Sequence, residues 1–175
     1  MFNDGKKQLI LTHGIPGSGK STFVSNHFGW KDTNIICPDD IRNEFQSQKS
    51  SWGDKFEYKI WKIVEERLIE SLKNNRITII DATFISRKAI LKHYKIAQEV
   101  DPEINFTIID FSDMLLEDCL KNNLHRKETG GRFVPEDVIV NMYNRIKRTK
   151  LLEFEPMTIS HKDFGENECF CMNLC

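Results

Sequence analysis

Apolar residues in this chain fall into two kinds of run. Short unbroken ones end on a glycine, a proline or an acid, and longer patterns repeat every three or four positions. The short runs read as buried strands, because a parallel sheet covered on both faces needs no polar alternation. Lys7 to His13 stops at a glycine, Asn34 to Cys37 is closed by Pro38, Arg76 to Asp81 is strongly β-branched and ends in an acid, and Ile104 to Phe111 repeats the pattern. Helical patterns lie between and after them. Ser21 to Phe28 and Asp39 to Phe45 are short, the second with carboxylates where the helix dipole favours them. From Asp54 to Asn75, the positions Phe56, Ile60, Trp61, Val64, Leu68 and Leu72 trace one face of a long helix. Ser86 opens another towards Val100, a further one surrounds Met114 to Asn123, and Pro135 to Lys150 carries Val138, Met142 and Ile146 at four-residue intervals. Gln46 to Gly53 is polar and turn-like, His125 to Val134 reads as a basic, glycine-containing loop or lid, and the pattern past Leu151 is irregular. Strands alternating with helices predict an α/β fold of three layers, with a parallel sheet of four to five strands and helices on both faces. The expected organisation is one domain over 1–150, its lid around 124–134, and a C-terminal extension over 151–175 with no assigned role.

Composition narrows the setting. A chain of 175 residues suits one domain of ordinary size. With 39% hydrophobic and 29% charged residues it is too apolar for a disordered chain. Its apolar runs fall far short of the ~20 residues a membrane-spanning helix needs. The N-terminal residues do not read as a signal peptide, so a cytoplasmic location away from membranes is expected. Twenty-five basic against twenty-six acidic residues leave a net charge of −1, so a polyanion would have to be met by a local basic patch. Five cysteines, an odd number, argue against a disulfide framework. Cys169, Cys171 and Cys175, with His161 upstream, lack the paired spacing of structural zinc sites and read as reduced thiols.

The strongest chemical signal is Gly14-Ile15-Pro16-Gly17-Ser18-Gly19-Lys20-Ser21, followed by Thr22, between a strand pattern and a helix pattern. Glycines there let backbone N–H groups turn inwards around a phosphate, and the following helix points its positive end at the same oxygens. Lys20 then reaches the β- and γ-phosphates and Ser21 offers a hydroxyl to Mg²⁺. A guanine-reading Asn-Lys-x-Asp is absent from the chain, which disfavours a switch GTPase, and a small Mg²⁺-dependent kinase fits better. Asp39 follows the second strand, where a carboxylate can accept an acceptor's proton, and Arg42, one helical turn on, can grip an anionic substrate. Capping the helix is the competing role for Asp39 and for Asp40. Asp81 ends the third strand beside Ala82 and Thr83, where it can order Mg²⁺ waters, contact the acceptor or cap the next helix. Arg126 and Arg132 lie in the basic segment before Pro135, from which an arginine can close over the transferring phosphates.

With the loop Gly14 to Thr22, Asp39-Asp40-Ile41-Arg42, Asp81-Ala82-Thr83, and Asn123-Leu124-His125-Arg126 leading to Val134-Pro135, the chain resembles the kinase domain of bacteriophage-type polynucleotide 5′-hydroxyl kinases, P-loop kinases of the AAA-type ATPase class. The resemblance runs from about Lys7 to Lys147. It implies transfer of the ATP γ-phosphate to a 5′-hydroxyl of DNA or RNA, with a nucleic-acid end as partner. By position, it implies Lys20 and Ser21 for nucleotide and Mg²⁺, Asp39 as general base, Arg42 on the acceptor's phosphate, Asp81 and Thr83 at the acceptor site, and Arg126 as the lid arginine. The family commonly carries an arginine where this chain has Asn122, so that phosphate contact is missing or falls to Arg132. The phosphatase domain of the two-domain phage enzyme is not matched, and no 3′-end phosphatase activity is expected. Three other readings share these motifs: a kinase for a hydroxymethylated DNA base, a small-molecule or nucleotide-sugar kinase resembling zeta toxins, and an ATP-binding module without catalysis.

Overall fold

A computed structural model describes residues 6–29, 32–45, 53–149, 151 and 157–163. Five strands form one parallel sheet in the order β2-β3-β1-β4-β5: β1 (Gln8–His13), β2 (Thr33–Ile36), β3 (Ile77–Ile80), β4 (Asn105–Asp110) and β5 (Met157–Ser160). The helices are α1 (Lys20–His27), α2 (Pro38–Glu44), α3 (Asp54–Asn74), α4 (Arg87–Val100), α5 (Leu116–Glu128) and α6 (Glu136–Ile146). Among the described residues, no helix is long and apolar enough to cross a membrane.

Side-chain alternation on the buried strands separates two cores. Leu9 and Leu11 of β1, Ile80 of β3 and Phe106 and Ile108 of β4 meet α3 and α4, where Ile60, Val64, Leu68, Leu72 and Ile90 are fully buried. Ile10, Ile77, Ile79 and Ile109 face the other way, onto Val24 and Phe28 around α1. Each such aliphatic side chain contributes about 1.5–3 kcal/mol on leaving water. A third cluster, Ile15, Ile85, Cys119, Ile139 and Ile146, binds α5 and α6 to the phosphate-loop end of the sheet. The central strands are therefore rigid under the loops that leave their carboxyl ends.

The chain moves from β1 to one side for β2 and β3, and to the other for β4 and β5. Open α/β sheets bind ligands where the direction of winding reverses, and here that point lies at the carboxyl end of β1. Pro38 opens α2 as its first helical residue, which its fixed φ permits. Ser86 caps α4 by accepting from the Ala89 N–H at 3.3 Å.

Two expectations change. Met157–Ser160, in the stretch expected to be irregular, pairs with β4 from Thr107↔Met157 to Asp110↔Ser160 and closes that side of the sheet. Helix α5 does not end at Asn123 but runs to Glu128, so His125, Arg126 and Lys127 form its basic last turn instead of a loop. Cations at a helix C-terminus complement its dipole, which is why they extend the helix. The polar stretch 46–52 and the cysteines Cys169, Cys171 and Cys175 lie outside the described residues.

Candidate active site

The loop between β1 and α1 is shaped by two left-handed glycines, Gly17 at φ 83° and Gly19 at φ 89°. Only glycine adopts that backbone without strain. Helix α1 starts at Lys20 with no side-chain cap, so its first N–H groups stay available to an anion. Lys20 is buried. Its ammonium donates to the Ile15 carbonyl at 2.7 Å and to Ser18 Oγ at 3.2 Å, folded into the loop that its own backbone encloses. Burial pushes its pKa down to about 8, with the Asp81 carboxylate opposing and the Arg126 charge reinforcing the fall. Ser21 and Thr22 are exposed at the mouth, while Ile15 is buried and Pro16 half-buried.

Neighbouring segments fix this loop. The Gly14 N–H donates to the Thr83 carbonyl at 3.2 Å. His13 donates from Nδ1 to the Phe84 carbonyl at 2.8 Å, and burial lowers its pKa. Among the described residues, Phe84 is the one non-glycine with a positive φ, 37°. Its ring lies between Trp61 and His93, with centroids 6.0 and 5.0 Å away, so packing and the His13 bond together hold a strained backbone in place. From the other side, Asn122 Nδ2 donates to the Gly17 carbonyl at 2.8 Å.

Three adjacent strands, β2-β3-β1, release Asp39, Asp81 and Lys20 at one edge of the sheet. Asp81 is buried, and Thr12 Oγ1, which donates to the Ala82 carbonyl at 2.8 Å, lies 3.4 Å from Asp81 Oδ1. Burial pushes the Cys37 thiol up, and the charges of Asp81 and Asp40 act in the same direction, which marks Cys37 as lying between β3's acid and α2.

Asp39 itself is held by two arginines. Arg42 Nη1 donates to Asp39 Oδ1 at 2.5 Å, and Arg132 Nη1 pairs with the same oxygen. Arg42 is fixed in turn by Glu57 on α3, which accepts from Nε at 2.9 Å and from Nη2 at 2.7 Å. Such a bidentate pair sets orientation as well as charge. Glu57 was not visible as a site residue in the sequence; the one signal for it was that Arg42 needs a partner.

Arg126 lies on the last turns of α5, and among the described residues its guanidinium has no ion-pair partner, while its charge is felt at Lys20. The segment after it is pinned twice. Gly131 N–H donates to the Arg126 carbonyl at 2.7 Å, and the buried Asn123 amide clasps Val134, accepting from its N–H at 3.0 Å and donating to its carbonyl at 2.8 Å. The segment expected as a lid is thus the end of α5 followed by a short pinned loop over 129–134, from which Arg132 pairs with Asp39.

These residues fit a nucleoside triphosphate with Mg²⁺. The uncapped helix start and glycine backbone form an anion cradle, Lys20 supplies its charge, and Ser21 with Asp81 offers oxygen donors of the hard type that Mg²⁺ takes alongside water and phosphate. Among the described residues there is no cluster of three or more His, Cys, Asp or Glu able to hold a metal on protein ligands alone.

The model of a family described as an AAA domain matches residues 9–149. A chain in the structure of the Pnkp1/Rnl/Hen1 RNA repair complex superposes with a TM-score of 0.71 at 28% identity, covering 85% of this chain and 47% of that one. This chain therefore spans about half of the chain it matches there. A putative kinase from Chloroflexus aurantiacus J-10-fl gives a TM-score of 0.64 at 14% identity, covering 89% of this chain and 88% of that one. A gluconokinase from Sinorhizobium meliloti 1021 gives 0.53 at 15% identity, covering 87% and 81%. At those last two identities the likeness is one of fold.

Proposed function

Since the chain belongs to the AAA domain family that its residues 9–149 match, and folds as a P-loop kinase, we propose that it moves the γ-phosphate of ATP to the 5′-hydroxyl end of a DNA or RNA strand. One observation carries the reading. Asp39, Asp81 and Lys20 stand at the carboxyl ends of three neighbouring strands, so a general base, a second acid and the phosphate-binding lysine face one shared edge. The likeness at 28% identity to a chain of an RNA repair complex supports a nucleic-acid end over other acceptors.

The chemistry assigned to these residues is in-line transfer. The acceptor's 5′-oxygen forms a bond to the γ-phosphorus while the bond from that phosphorus to the bridging β–γ oxygen breaks, and ADP leaves. The hydroxyl proton passes to Asp39, whose carboxylate is oriented by Arg42 and Glu57. Lys20 and Arg126 offset the negative charge of the moving phosphoryl group. Ser21 and Asp81 would hold Mg²⁺, which when bound neutralises charge on the β- and γ-phosphates.

A panel of acceptors tests the proposal. With labelled ATP and Mg²⁺, a 5′-hydroxyl oligonucleotide is expected to take label in preference to a 5′-phosphorylated oligonucleotide, a duplex with hydroxymethylated bases, and gluconate. Preferential labelling of the modified duplex or of gluconate would replace the strand end with that acceptor.

A further inference from the structure

We propose that His13 is a positioning residue, whose side chain sets the segment 82–85, and with it Asp81 and Thr83, in fixed register with the phosphate loop. This rests on the reading of Asp81 and Thr83 as the metal and acceptor side of a phosphotransfer site. The first ground is a run of bonds. Four consecutive carbonyls each accept from outside the segment: Ala82 from Thr12 Oγ1 at 2.8 Å, Thr83 from the Gly14 N–H at 3.2 Å, Phe84 from His13 Nδ1 at 2.8 Å, and Ile85 from Thr149 Oγ1 at 2.7 Å. The Ala82 N–H also returns to the Thr12 hydroxyl at 3.1 Å. Three of the four donors belong to Thr12, His13 and Gly14, where β1 passes into the phosphate loop. The residues that follow Asp81 are therefore tied one by one to the base of the anion cradle.

The second ground is the place of the histidine. Successive side chains of a strand alternate, so Leu9, Leu11 and His13 share one face of β1. Both leucines enter the core against α3 and α4, and the fully buried His13 takes the last position of that row. A carbonyl can only accept, so the bond to Phe84 puts the imidazole proton on Nδ1. Nε2 is then a bare acceptor, buried with no hydrogen-bond partner among the described residues. A third leucine would complete the apolar row and leave no unpaired nitrogen, so packing alone does not account for a histidine here. What the imidazole adds is the donor to Phe84.

The third ground is what that donor holds. Phe84 has a φ of 37°, and a non-glycine backbone of this kind persists only where its surroundings over-determine it. Trp61 and His93 fix the ring, and His13 fixes the carbonyl. His13 is itself anchored, because its own carbonyl accepts from the Phe111 N–H at 2.7 Å and it pairs with Asp110 across β1 and β4. Without the imidazole donor the Phe84 peptide can turn towards an unstrained φ. The turn would shift Thr83 and, through Ala82, Asp81, while Lys20 keeps its place in a loop shaped by its own glycines. Misplacement of a reacting group by about 1 Å can cost about 10²-fold in rate.

The test uses the whole chain and three variants. In His13→Asn the amide nitrogen can stand where Nδ1 does and still donate to Phe84, in His13→Gln it reaches the Nε2 position instead, and His13→Leu has no donor. Amide hydrogen exchange over 82–86, calorimetric binding of a non-hydrolysable ATP analogue, and label transfer from ATP to a 5′-hydroxyl oligonucleotide are measured on each. His13→Leu and His13→Gln are expected to exchange about 10-fold or more faster over 82–86 and to lose about 10- to 100-fold in kcat. Both should bind the ATP analogue within about three-fold of the unmodified chain, with little change in the KM for ATP. His13→Asn should recover most of the protection and most of kcat. Unchanged exchange over 82–86, faster exchange with kcat unmoved, or an asparagine variant no better than the other two would overturn the inference. Loss of ATP binding in parallel with kcat would overturn it as well, by making His13 a structural prop of the phosphate loop. The expected exchange pattern in a chain that transfers no label to any acceptor would support the linkage and sink the kinase reading alone.

Discussion

The carbonyl oxygen of Cys119 lies 2.2 Å from where a Cβ on Gly17 would stand, so α5 packs on the phosphate loop with no room for a side chain between them. Gly17 also sits at φ 83°, a left-handed conformation. Gly17→Ala therefore combines backbone strain with overpacking, together about 2–5 kcal/mol. The expected result is a large fall in thermal midpoint and loss of ATP binding by titration. Gly29→Ala, whose added methyl meets only the Ser25 carbonyl at 3.8 Å, should be near neutral in both assays.

Lys20 gives a pH signature. Its folded pKa of about 8 lies below the ordinary value because burial disfavours the charged form. Between pH 8 and the unfolded value of 10.5 the unfolded chain binds the extra proton, so this group makes the nucleotide-free protein more stable as pH rises through that window. Nucleotide binding runs the other way. Polyphosphate favours the ammonium, so affinity should fall above about pH 8, and binding at that pH should take up about half a proton. Calorimetry in buffers of different ionisation enthalpy measures the uptake; none at all would contradict the buried, phosphate-directed lysine.

Among the described residues Glu57 reaches the site through Arg42, which a double-mutant cycle can read. Glu57→Gln and Arg42→Gln should each lower kcat/KM for the acceptor, with little change in the KM for ATP. Their combination should fall short of additivity by about 0.5–2 kcal/mol, and the half exposure of Glu57 keeps it towards the low end. Strict additivity would mean that the pair does not orient Asp39.

Asn123 is 2% exposed and both ends of its amide are used on Val134. Asn123→Leu removes the clasp and leaves two backbone groups of Val134 without partners, at about 1–3 kcal/mol. Limited proteolysis should then cut within 129–134 faster than in the unmodified chain. Unchanged proteolysis would show that the loop is pinned elsewhere.

How much of this was legible follows from range along the chain. β1, β3 and β4 were visible because apolar stretches such as Leu9 to Leu11, or Ile77 to Ile80 with Thr78 alone interrupting, have one stable home, the middle of a covered sheet, and β2 because Pro38 closes its short run. β5 was not, because Met157-Thr158-Ile159-Ser160 has no apolar run and is held in place by pairing with β4. The phosphate loop is contiguous, so its glycines, Lys20 and Ser21 could be named in advance. The bonds that complete the site are not contiguous: Arg42 and Glu57 are 15 residues apart, and Asn122 and Gly17 are 105 apart. Arg126 was expected in a mobile loop, and the helix-favouring charge of His125 to Lys127 is the local signal that pointed instead to α5.

The most direct test of the account is transfer of labelled γ-phosphate from ATP with Mg²⁺ to a 5′-hydroxyl oligonucleotide by the unmodified chain and by Asp39→Asn. The account predicts label at the 5′ end of that strand and none on a 5′-phosphorylated control. It also predicts a loss of about 10²- to 10⁴-fold in kcat for Asp39→Asn, with ATP binding retained. Transfer by Asp39→Asn at the unmodified rate, or label on both strands alike, would contradict it.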